Sequence, residues 1–464
     1  TYFATALKLV TNTVTGAGAP ADGSWRDYAP TDNQEGWIGK SLTLAAGQTQ
    51  EVDVVIVGAW DDFAGATGTY DYWCRPILDW FYTNNVATLQ AATETYWSNW
   101  LAGGATIDWP GTQYDQLFKR SLLVSALHVD AAQGAILAGM HNGAYPFVWP
   151  RDGIFAAMTF ARTGHTNESA QFCRWLRDVA DRDYDTGIGD KGFFYQKYTT
   201  DGYRVWTNPQ IDETASVPWG LFYHYQVTGD ATFLTNFWNL AYTAARASSE
   251  NSNLNPDLYV AFNLMNSWNA WEDQLGLHLY SNASVVRGLR DAAAMADLLG
   301  LSTTGTLFRT RADTFKNGIT DRATNLIEAI DITHLGLVYP CEVYAPTNAM
   351  LTNIVEQING RQAAGYALSL GGNGPYFDNL IETNAAIAGL VRRYNHKTSY
   401  VGLDDYWNGG PWFLATSWYG EYFARWQDYV AGKALIDVNK SKLDLLLAKL
   451  GPMGLGGEQI APST

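Results

Sequence analysis

Two acidic residues directly follow a tryptophan near the middle of the chain. Residues 266–273 read Asn-Ser-Trp-Asn-Ala-Trp-Glu-Asp, so Glu272 and Asp273 come after Trp271 in a stretch without helical periodicity. A carboxyl group beside indole rings is partly desolvated, and its pKa then rises toward the value that a general acid needs at neutral pH. A surface acid pair near buried tryptophans would give the same pattern, so both interpretations stand at this point.

A third acid, Glu458, lies in the glycine-rich segment 454–459, which reads Gly-Leu-Gly-Gly-Glu-Gln. Hydrolysis of a glycosidic bond needs one carboxylic acid to protonate the leaving oxygen and one carboxylate to activate water or attack the sugar. Glu272 and Glu458 are candidates for these roles. Spacing alone does not select them from 46 acidic residues.

Two further segments combine aromatic and charged residues. Residues 145–153 read Tyr-Pro-Phe-Val-Trp-Pro-Arg-Asp-Gly, and Arg151 and Asp152 fall in the first turn of a predicted helix. They could bind a ligand, or Asp152 could favour the positive helix N-terminus with Arg151 as its ion-pair partner. Residues 206–213 read Trp-Thr-Asn-Pro-Gln-Ile-Asp-Glu, where the two acids are interpreted as residues of a helix N-terminus.

The composition narrows the function classes. The chain has 19 Trp and a charged fraction of 16%, against an average of about 25%. Indole rings in this number form either an aromatic core or platforms for the apolar faces of sugar rings. The net charge of −16 argues against nucleic acid or an anionic membrane as the partner, because phosphate binding needs clustered cations. The sequence has no uninterrupted run of ~18 apolar residues, so no membrane-spanning helix is predicted.

Neither a cofactor nor a metal is expected. The three cysteines are too scattered for a disulfide framework or a zinc site, and the seven histidines have no metal-ligand spacing. Because the chain starts at Thr1 without a charged and apolar leader, we expect either a processed protein that is secreted or extracytoplasmic, or a segment of a longer chain. We expect a monomer.

The elements that must position these residues are mainly helices. Apolar periodicity and Gly or Pro punctuation predict eleven of them after residue 109. Upstream, Leu42–Leu44 and Val52–Val57 predict two strands, and Ile77 to Leu101 predicts a helical stretch. The eleven helices are expected near residues 113–139, 150–163, 167–182, 212–228, 230–250, 281–300, 303–326, 347–359, 376–394, 410–427 and 431–450.

Paired inner and outer helices with long loops at one end are typical of an (α/α)6 toroid, which has twelve helices. The fold class is therefore expected to be mainly α. We predict part of an N-terminal β-sandwich over residues 1–75 and a helical linker over 76–108. An (α/α)6 catalytic domain that lacks its last helix follows over 109–464.

Five motifs, taken in order along the chain, resemble glycoside hydrolase family 15, the glucoamylase and glucodextranase family, in its bacterial or archaeal form. Residues 148–152 are similar to the family's Trp-x-Arg-Asp segment, and residues 206–212 to its Trp-x-x-Pro-Gln-x-Asp loop. Residues 270–273 are similar to Leu-Trp-Glu-Glu. Residues 392–394 and 406–412 resemble its Arg-Tyr and Tyr-x-Asn-Gly-Asn-Pro-Trp pair, and residues 457–459 resemble Pro-Glu-Gln.

The resemblance implies roles for individual residues. Glu272 would be the general acid and Glu458 the general base. Arg151, Asp152 and Arg393 would bind the terminal glucose. The further substrate contacts that it implies are Trp149, Trp206, Trp271, Asp273 and Trp412.

Some residues depart from the family pattern. Asn269 stands where many members have Asp, and Asp273 replaces the second Glu. Both changes bear on substrate hydroxyl contacts and hence on linkage preference. An insertion before Tyr406 adds Asp404 and Asp405, which are alternative catalytic candidates ranked below Glu458.

The resemblance implies an exo-acting, inverting α-glucosidase that releases β-D-glucose from non-reducing ends of neutral α-1,4 or α-1,6 glucans or oligosaccharides. A trehalase or transglucosidase on the same scaffold is the alternative. Two other classes compete. A polysaccharide lyase is disfavoured because it needs cations against its uronate substrate. A catalytically inactive sugar-binding protein is disfavoured because both acids are present.

Overall fold

A computed structural model provides the structure of most of the chain. It describes residues 2–9, 16–18, 37–39, 43–49, 54–61, 74–83, 86–107, 110–140, 145–183, 192–250, 260–325, 331–359, 380–382, 385–394, 410–427, 435–451 and 460. The chain divides into two compact units, Thr1–Ala102 and Gly103–Thr464. The predicted domain boundaries after residues 75 and 108 stay predictions.

The described residues of the first unit form two small antiparallel sheets and two helices. In one sheet β1 (Tyr2–Leu9) pairs with β4 (Val54–Asp61), and in the other β2 (Gly16–Gly18) pairs with β3 (Trp37–Gly39). Helices α1 (Arg75–Thr83) and α2 (Val86–Ala102) follow and cover the stretch that was predicted helical.

The strand prediction for this unit was partly wrong. Residues 43 and 44 form no strand, although Leu and Thr alternate there. The strand predicted over Val52–Val57 exists as β4, and its partner is β1. Local alternation identifies a strand but not its distant partner. The N-terminal β-sandwich stays a prediction.

The second unit is mainly helical. Its α-helices are α3 (Gln113–Leu127), α4 (Pro150–Arg162), α5 (Thr166–Asp183), α6 (Ile211–Thr228), α7 (Ala231–Ala247), α8 (Leu279–Leu298), α9 (Ser302–Asn325), α10 (Ala349–Ile358), α11 (Phe413–Gln427) and α12 (Leu435–Leu447), and Ile332–Leu337 form a 3-10 helix.

These helices form two layers. In the inner layer α4, α6, α8, the 3-10 helix and α11 pack against one another in succession. Each inner helix also packs against the helix that follows it in the chain, so α5, α7, α9, α10 and α12 form the outer layer. This alternation of inner and outer helices is the arrangement that the sequence predicted.

Burial patterns explain which helix lies in which layer. Helices α6 and α8 are buried on nearly every face, as expected of inner helices. They approach closely because position 288 is glycine: a Cβ there would lie 2.2 Å from the Ala215 carbonyl oxygen. In the outer helix α7, by contrast, the buried residues recur at three- and four-residue spacing, which is typical of an amphipathic helix.

Two predicted helices needed correction. The first was expected over 113–139 but ends at Leu127, and Val129 and Ile136 form an antiparallel bridge instead. Gly134, with φ +77, supports the turn between them. The other was expected over 376–394. Its described residues form turns, with a bridge between Ile381 and Val391.

Short antiparallel hairpins connect outer helices to inner ones. Between α5 and α6, β5 (Lys197–Tyr198) pairs with β6 (Arg204–Trp206). Between α7 and α8, β7 (Val260–Ala261) pairs with β8 (Leu264–Met265), and β9 (Ser267–Trp268) pairs with β10 (Leu275–Gly276). These hairpins carry several of the predicted site residues.

Candidate active site

A cavity of about 840 Å³ in the second unit brings the predicted site residues together. Its walls are largely aromatic, and charged side chains lie among the rings. Those predicted residues that the structure describes all line it: Trp149, Arg151, Asp152, Trp206, Trp271, Glu272, Asp273, Arg393 and Trp412.

The start of α4 places the first group. Trp149 precedes the helix and Pro150 takes its first position, as the sequence predicted. Upstream, Val148 forms a two-way backbone bridge with Tyr198 of β5, with N–O distances of 2.8 and 2.9 Å. The helix N-terminus is therefore attached to a hairpin, which fixes Trp149 and Arg151 relative to it.

Arg151 is buried and held by acids of a neighbouring inner helix. Its Nη1 lies 2.8 Å from Asp212 Oδ2 and 3.2 Å from Glu213 Oε1, and its Nε lies 3.0 Å from Asp152 Oδ1. Its backbone N–H donates to Glu213 Oε2 at 2.5 Å. Burial raises the pKa of Glu213 well above its ordinary value, although Arg151 pulls the pKa down. The acid pair thus fixes both main chain and side chain of Arg151.

The turn between β9 and β10 carries Glu272. The Asn269 N–H donates to the Gln274 carbonyl at 2.8 Å, and the Glu272 N–H donates to the Asn269 carbonyl at 3.0 Å. These bonds leave Glu272 with φ +69, a left-handed conformation that is uncommon for a residue with a side chain. Such backbone strain concentrates at functional sites, where the surrounding structure enforces it.

The carboxyl group of Glu272 has the environment of a proton donor. Burial raises its pKa above the ordinary value, while Arg151 and hydrogen bonds from Gln196 and Trp149 act in the opposite direction. The Trp149 indole N–H donates to Glu272 Oε1. A carboxyl group with this balance keeps its proton to higher pH than an exposed glutamate does.

Arg393 supplies a second cation in the cavity wall, packed among aromatic rings. Its guanidinium carbon lies 4.2 Å from the centre of the Trp412 ring and 5.1 Å from that of Trp271. The Trp271 indole N–H in turn donates to Asp331 Oδ2 at 3.2 Å. Cation–π contacts of this kind stabilise a guanidinium that has lost part of its water, so the group is fixed in position for a ligand.

Comparison with known proteins places the chain in a family. The model for Glycosyl hydrolases family 15 matches residues 112–364, more than half of the 464 residues. The chain belongs to glycoside hydrolase family 15. This membership confirms the family resemblance that the sequence indicated.

A relative and two solved structures are similar to this chain. An uncharacterised glycosyl hydrolase of Methanocaldococcus jannaschii is 23% identical over 319 residues, which is 66% of this chain and 44% of the relative, so the chain spans less than half of that protein. A bacterial glucoamylase complexed with acarbose matches with TM-score 0.62 and 15% identity, over 89% of this chain and 59% of its own.

The glucoamylase from Saccharomycopsis fibuligera matches with TM-score 0.52 and 14% identity, over 75% of this chain and 89% of its own. At these identities the likeness concerns the fold. It confirms the prediction of a mainly α chain with an (α/α)6 toroid.

Within the family 15 site, the two departures from the family pattern are in direct contact. Asn269 Nδ2 donates to Asp273 Oδ1 at 2.7 Å, and the Tyr394 hydroxyl donates to the same carboxylate at 3.0 Å. Burial raises the pKa of Asp273, and these two hydrogen bonds pull the pKa down. An aspartate at 269 would put a second carboxylate where the amide donor lies, so Asn269 and Asp273 are complementary.

Some predicted residues lie outside the described part of the chain. Glu458 is among them, and so are the alternative candidates Asp404 and Asp405 and the motif residues 406–409. Their roles stay predictions.

Several residues of the site were not predicted from the sequence. Asp212 and Glu213 do lie in the first turn of α6, as interpreted, but their contact with Arg151 was not foreseen. Tyr394 and Lys197 were also missed. The Pro-Gln-Ile-Asp segment was a usable signal for Asp212, since it lies in a matched motif.

Other features of the described residues bear on the remaining expectations. No group of three or more His, Cys, Asp or Glu side chains there could hold a metal ion. Among the same residues, no helix is long and apolar enough to cross a membrane. Cys74, Cys173 and Cys341 are buried free thiols.

Proposed function

We propose that this family 15 glycosidase is an exo-acting, inverting α-glucosidase that releases β-D-glucose from the non-reducing ends of α-glucans or α-gluco-oligosaccharides. The observation that carries the proposal is the desolvated carboxyl group of Glu272, held by the Trp149 indole in a cavity with two buried guanidinium groups. The names of the glucoamylases that share the fold support the choice of substrate.

Glu272 is proposed as the general acid. Since burial raises its pKa, it keeps a proton that it can transfer to the glycosidic oxygen as the bond to the anomeric carbon breaks. The leaving sugar takes that proton with the bonding electron pair. A water molecule attacks the anomeric carbon from the opposite face, and Glu458 is proposed to accept the water's proton.

The cavity wall is proposed to bind the terminal glucose. Arg151 and Arg393 present cations, and Asp152 and Asp273 present acceptors, which suit the hydroxyl groups of a neutral sugar. The rings of Trp149, Trp206, Trp271 and Trp412 offer flat surfaces for its C–H faces. A chain end can offer its free hydroxyls to these groups, whereas an internal unit is extended at both ends. Exo action follows from this difference.

The anomeric configuration of the first product tests the proposal. Proton NMR during the first minutes of reaction with maltotriose, isomaltotriose and trehalose should detect β-glucose, and the fastest sugar identifies the linkage. Early α-glucose from maltotriose or isomaltotriose would exclude a single inverting displacement with Glu458 as its base. For trehalose only the appearance of β-glucose is informative, because its leaving unit is α-glucose under either mechanism. Glucose from trehalose alone would make the enzyme a trehalase, and longer oligosaccharides in place of glucose would make it a transglucosidase.

The variant Glu272→Gln tests the role of the acid. It should lose turnover while it still binds maltotriose, as measured by calorimetry. Turnover at the wild-type rate would remove Glu272 from the role. Sugar binding without any turnover by the wild-type protein would favour a catalytically inactive sugar-binding protein.

A further inference from the structure

The side chain of Lys197 lies among aromatic rings of the two segments that carry Trp149 and Trp206. It is only 2% exposed. Its Nζ lies 3.6 Å from the centre of the Trp206 ring, 4.7 Å from that of Phe147 and 4.9 Å from that of Trp149. Taking an ammonium group out of water is costly, and contact with several ring faces offsets part of that cost.

Backbone pairing explains why this lysine meets those rings. Lys197 of β5 lies directly opposite Trp206 of β6, so the two side chains share one face of the hairpin. The next residue, Tyr198, pairs with Val148, which immediately precedes Trp149. One short strand thus brings a single cation to two tryptophans that are far apart in the sequence.

Both tryptophans line the cavity that Glu272 lines, and one of them contacts its carboxyl group. The Trp149 indole N–H donates to the Glu272 carboxyl group. Trp206 lines the same cavity, although its side chain is 45% exposed. An exposed indole has several rotamers available, and contact with a buried cation restricts it to one.

We propose that Lys197 is a positioning residue for Glu272: its ammonium group holds the Trp149 and Trp206 rings in place and thereby fixes the indole hydrogen bond to the acid and the aromatic wall beside it. This inference rests on the proposed role of Glu272 as general acid. Lys197 touches the rings and is not required to touch the substrate.

The charged groups that face Glu272 set the sign of the expected pH effect. They are Arg151 and Asp152 from α4 and Lys197 from β5. Burial lowers the pKa of Lys197, while the charge of Glu272 raises it. By reciprocity, the ammonium group favours the ionised carboxylate, so its removal raises the pKa of Glu272.

The experiment compares Lys197→Met with Lys197→Arg in pH profiles of kcat and kcat/KM on the sugar that the wild-type protein hydrolyses fastest. The methionine variant keeps the volume and loses the cation. We expect its kcat to fall by about 10- to 100-fold, because the acid is misplaced. We also expect the alkaline limb to move to higher pH by about 0.5–1 unit. The arginine variant should keep kcat within about tenfold and leave the limb in place.

Lys442 provides a matched control. It is also a buried lysine, lies 4.9 Å from the centre of the Tyr419 ring, and donates to the Gly389 carbonyl. Unlike Trp149 and Trp206, the Tyr419 ring does not line the cavity. Lys442→Met should lower the melting temperature and leave the alkaline limb unchanged. If Lys197→Met does not fold, Lys197→Gln carries the same comparison with a neutral polar side chain.

The outcomes separate this inference from the proposed function. An active wild-type protein whose Lys197→Met variant behaves like Lys442→Met would overturn the positioning role and leave the function intact. An equal loss in Lys197→Met and Lys197→Arg, without a shift of the limb, would assign Lys197 to packing and likewise overturn it. A wild-type protein that hydrolyses none of the three sugars would overturn the proposed function, and this inference with it.

Discussion

Two pairs of adjacent acids lie near the cavity and differ in what surrounds them. Asp212 and Glu213 lie in the first turn of α6, completely buried, and hold Arg151. Glu272 and Asp273 lie in the turn between β9 and β10 and line the cavity. Burial raises the pKa of Glu213 in the first pair and of both Glu272 and Asp273 in the second. A raised pKa therefore does not by itself identify a catalytic acid.

The two pairs differ in the groups that contact their carboxyl oxygens. Asp212 accepts a hydrogen bond from the side chain of Arg151, and Glu213 accepts one from its backbone N–H. These two acids therefore stabilise the fold. Glu272 receives an indole hydrogen bond and has the cavity beside it, so it is accessible to a substrate. Four experiments with variants would break or sharpen this contrast.

The largest effect is expected for Glu272→Gln, because glutamine cannot donate the proton that the leaving oxygen needs. We expect kcat to fall by about 10²–10⁴-fold, with substrate affinity within a few-fold of wild type. Steady-state kinetics and calorimetry measure the two quantities. Asp152→Asn serves as a comparison: a smaller loss of kcat there, with a raised KM, separates binding from proton donation.

Asp212→Asn should mainly affect stability. It removes one negative partner of a buried guanidinium, and we expect the free energy of unfolding to fall by about 2–4 kcal/mol. Urea denaturation measures this loss. Glu213→Gln should cost less, since its raised pKa means that the native side chain holds its proton readily. Equal losses in both variants would contradict the contrast within the pair.

Asn269→Asp tests whether the side-chain amide of Asn269 is needed to hold Asp273 in position. The substitution puts a carboxylate within hydrogen-bond distance of Asp273, where the amide donor lies at 2.7 Å. Repulsion should displace Asp273, and we expect KM to rise by about 3- to 10-fold at neutral pH. The double change Asn269→Asp with Asp273→Asn reverses the donor and acceptor and should restore part of the affinity. An unchanged KM in the single variant would show that Asp273 does not contact the substrate.

The smallest effect concerns the pH dependence of stability. The folded-state pKa of Glu213 is raised above its ordinary value, mainly by burial. The native state then binds more protons than the unfolded state, so this group's contribution is full below the ordinary pKa and declines as pH rises through the folded value. In the wild-type protein this group makes the free energy of unfolding decrease as the pH rises above about 4.5. That decrease should be smaller in Glu213→Gln. If the free energy of unfolding changes with pH at the same slope in the variant and the wild type, a group other than Glu213 causes the change.

Part of this arrangement was predictable from the sequence. Pro150 marked the start of α4, and Gly229, with φ +67, marked the end of α6, because each residue fits a backbone position that others fit poorly. The ordered motifs identified the cavity residues. Their meeting in one cavity could be anticipated only through the family resemblance, since Trp149 and Glu272 are 123 positions apart.

The rest depended on contacts that leave no local pattern. The Tyr394 hydroxyl meets Asp273 across 121 positions, and no periodicity near either residue announces it. The helix expected over 376–394 has apolar residues at helical spacing, yet its described part forms turns and a bridge, where tertiary pairing overrides local propensity. Lys197 resembles any lysine of a surface hairpin until Trp149 and Trp206 are placed beside it.

The left-handed backbone at Glu272 has a consequence for how this protein can change. Glycine adopts φ +69 without the penalty of about 1–2 kcal/mol that a side chain incurs, so the position would fold more easily without its glutamate. Variation selected for thermal stability alone would favour loss of the acid. Continued hydrolysis of the substrate is what opposes that loss, and a more stable, inactive descendant is one substitution away.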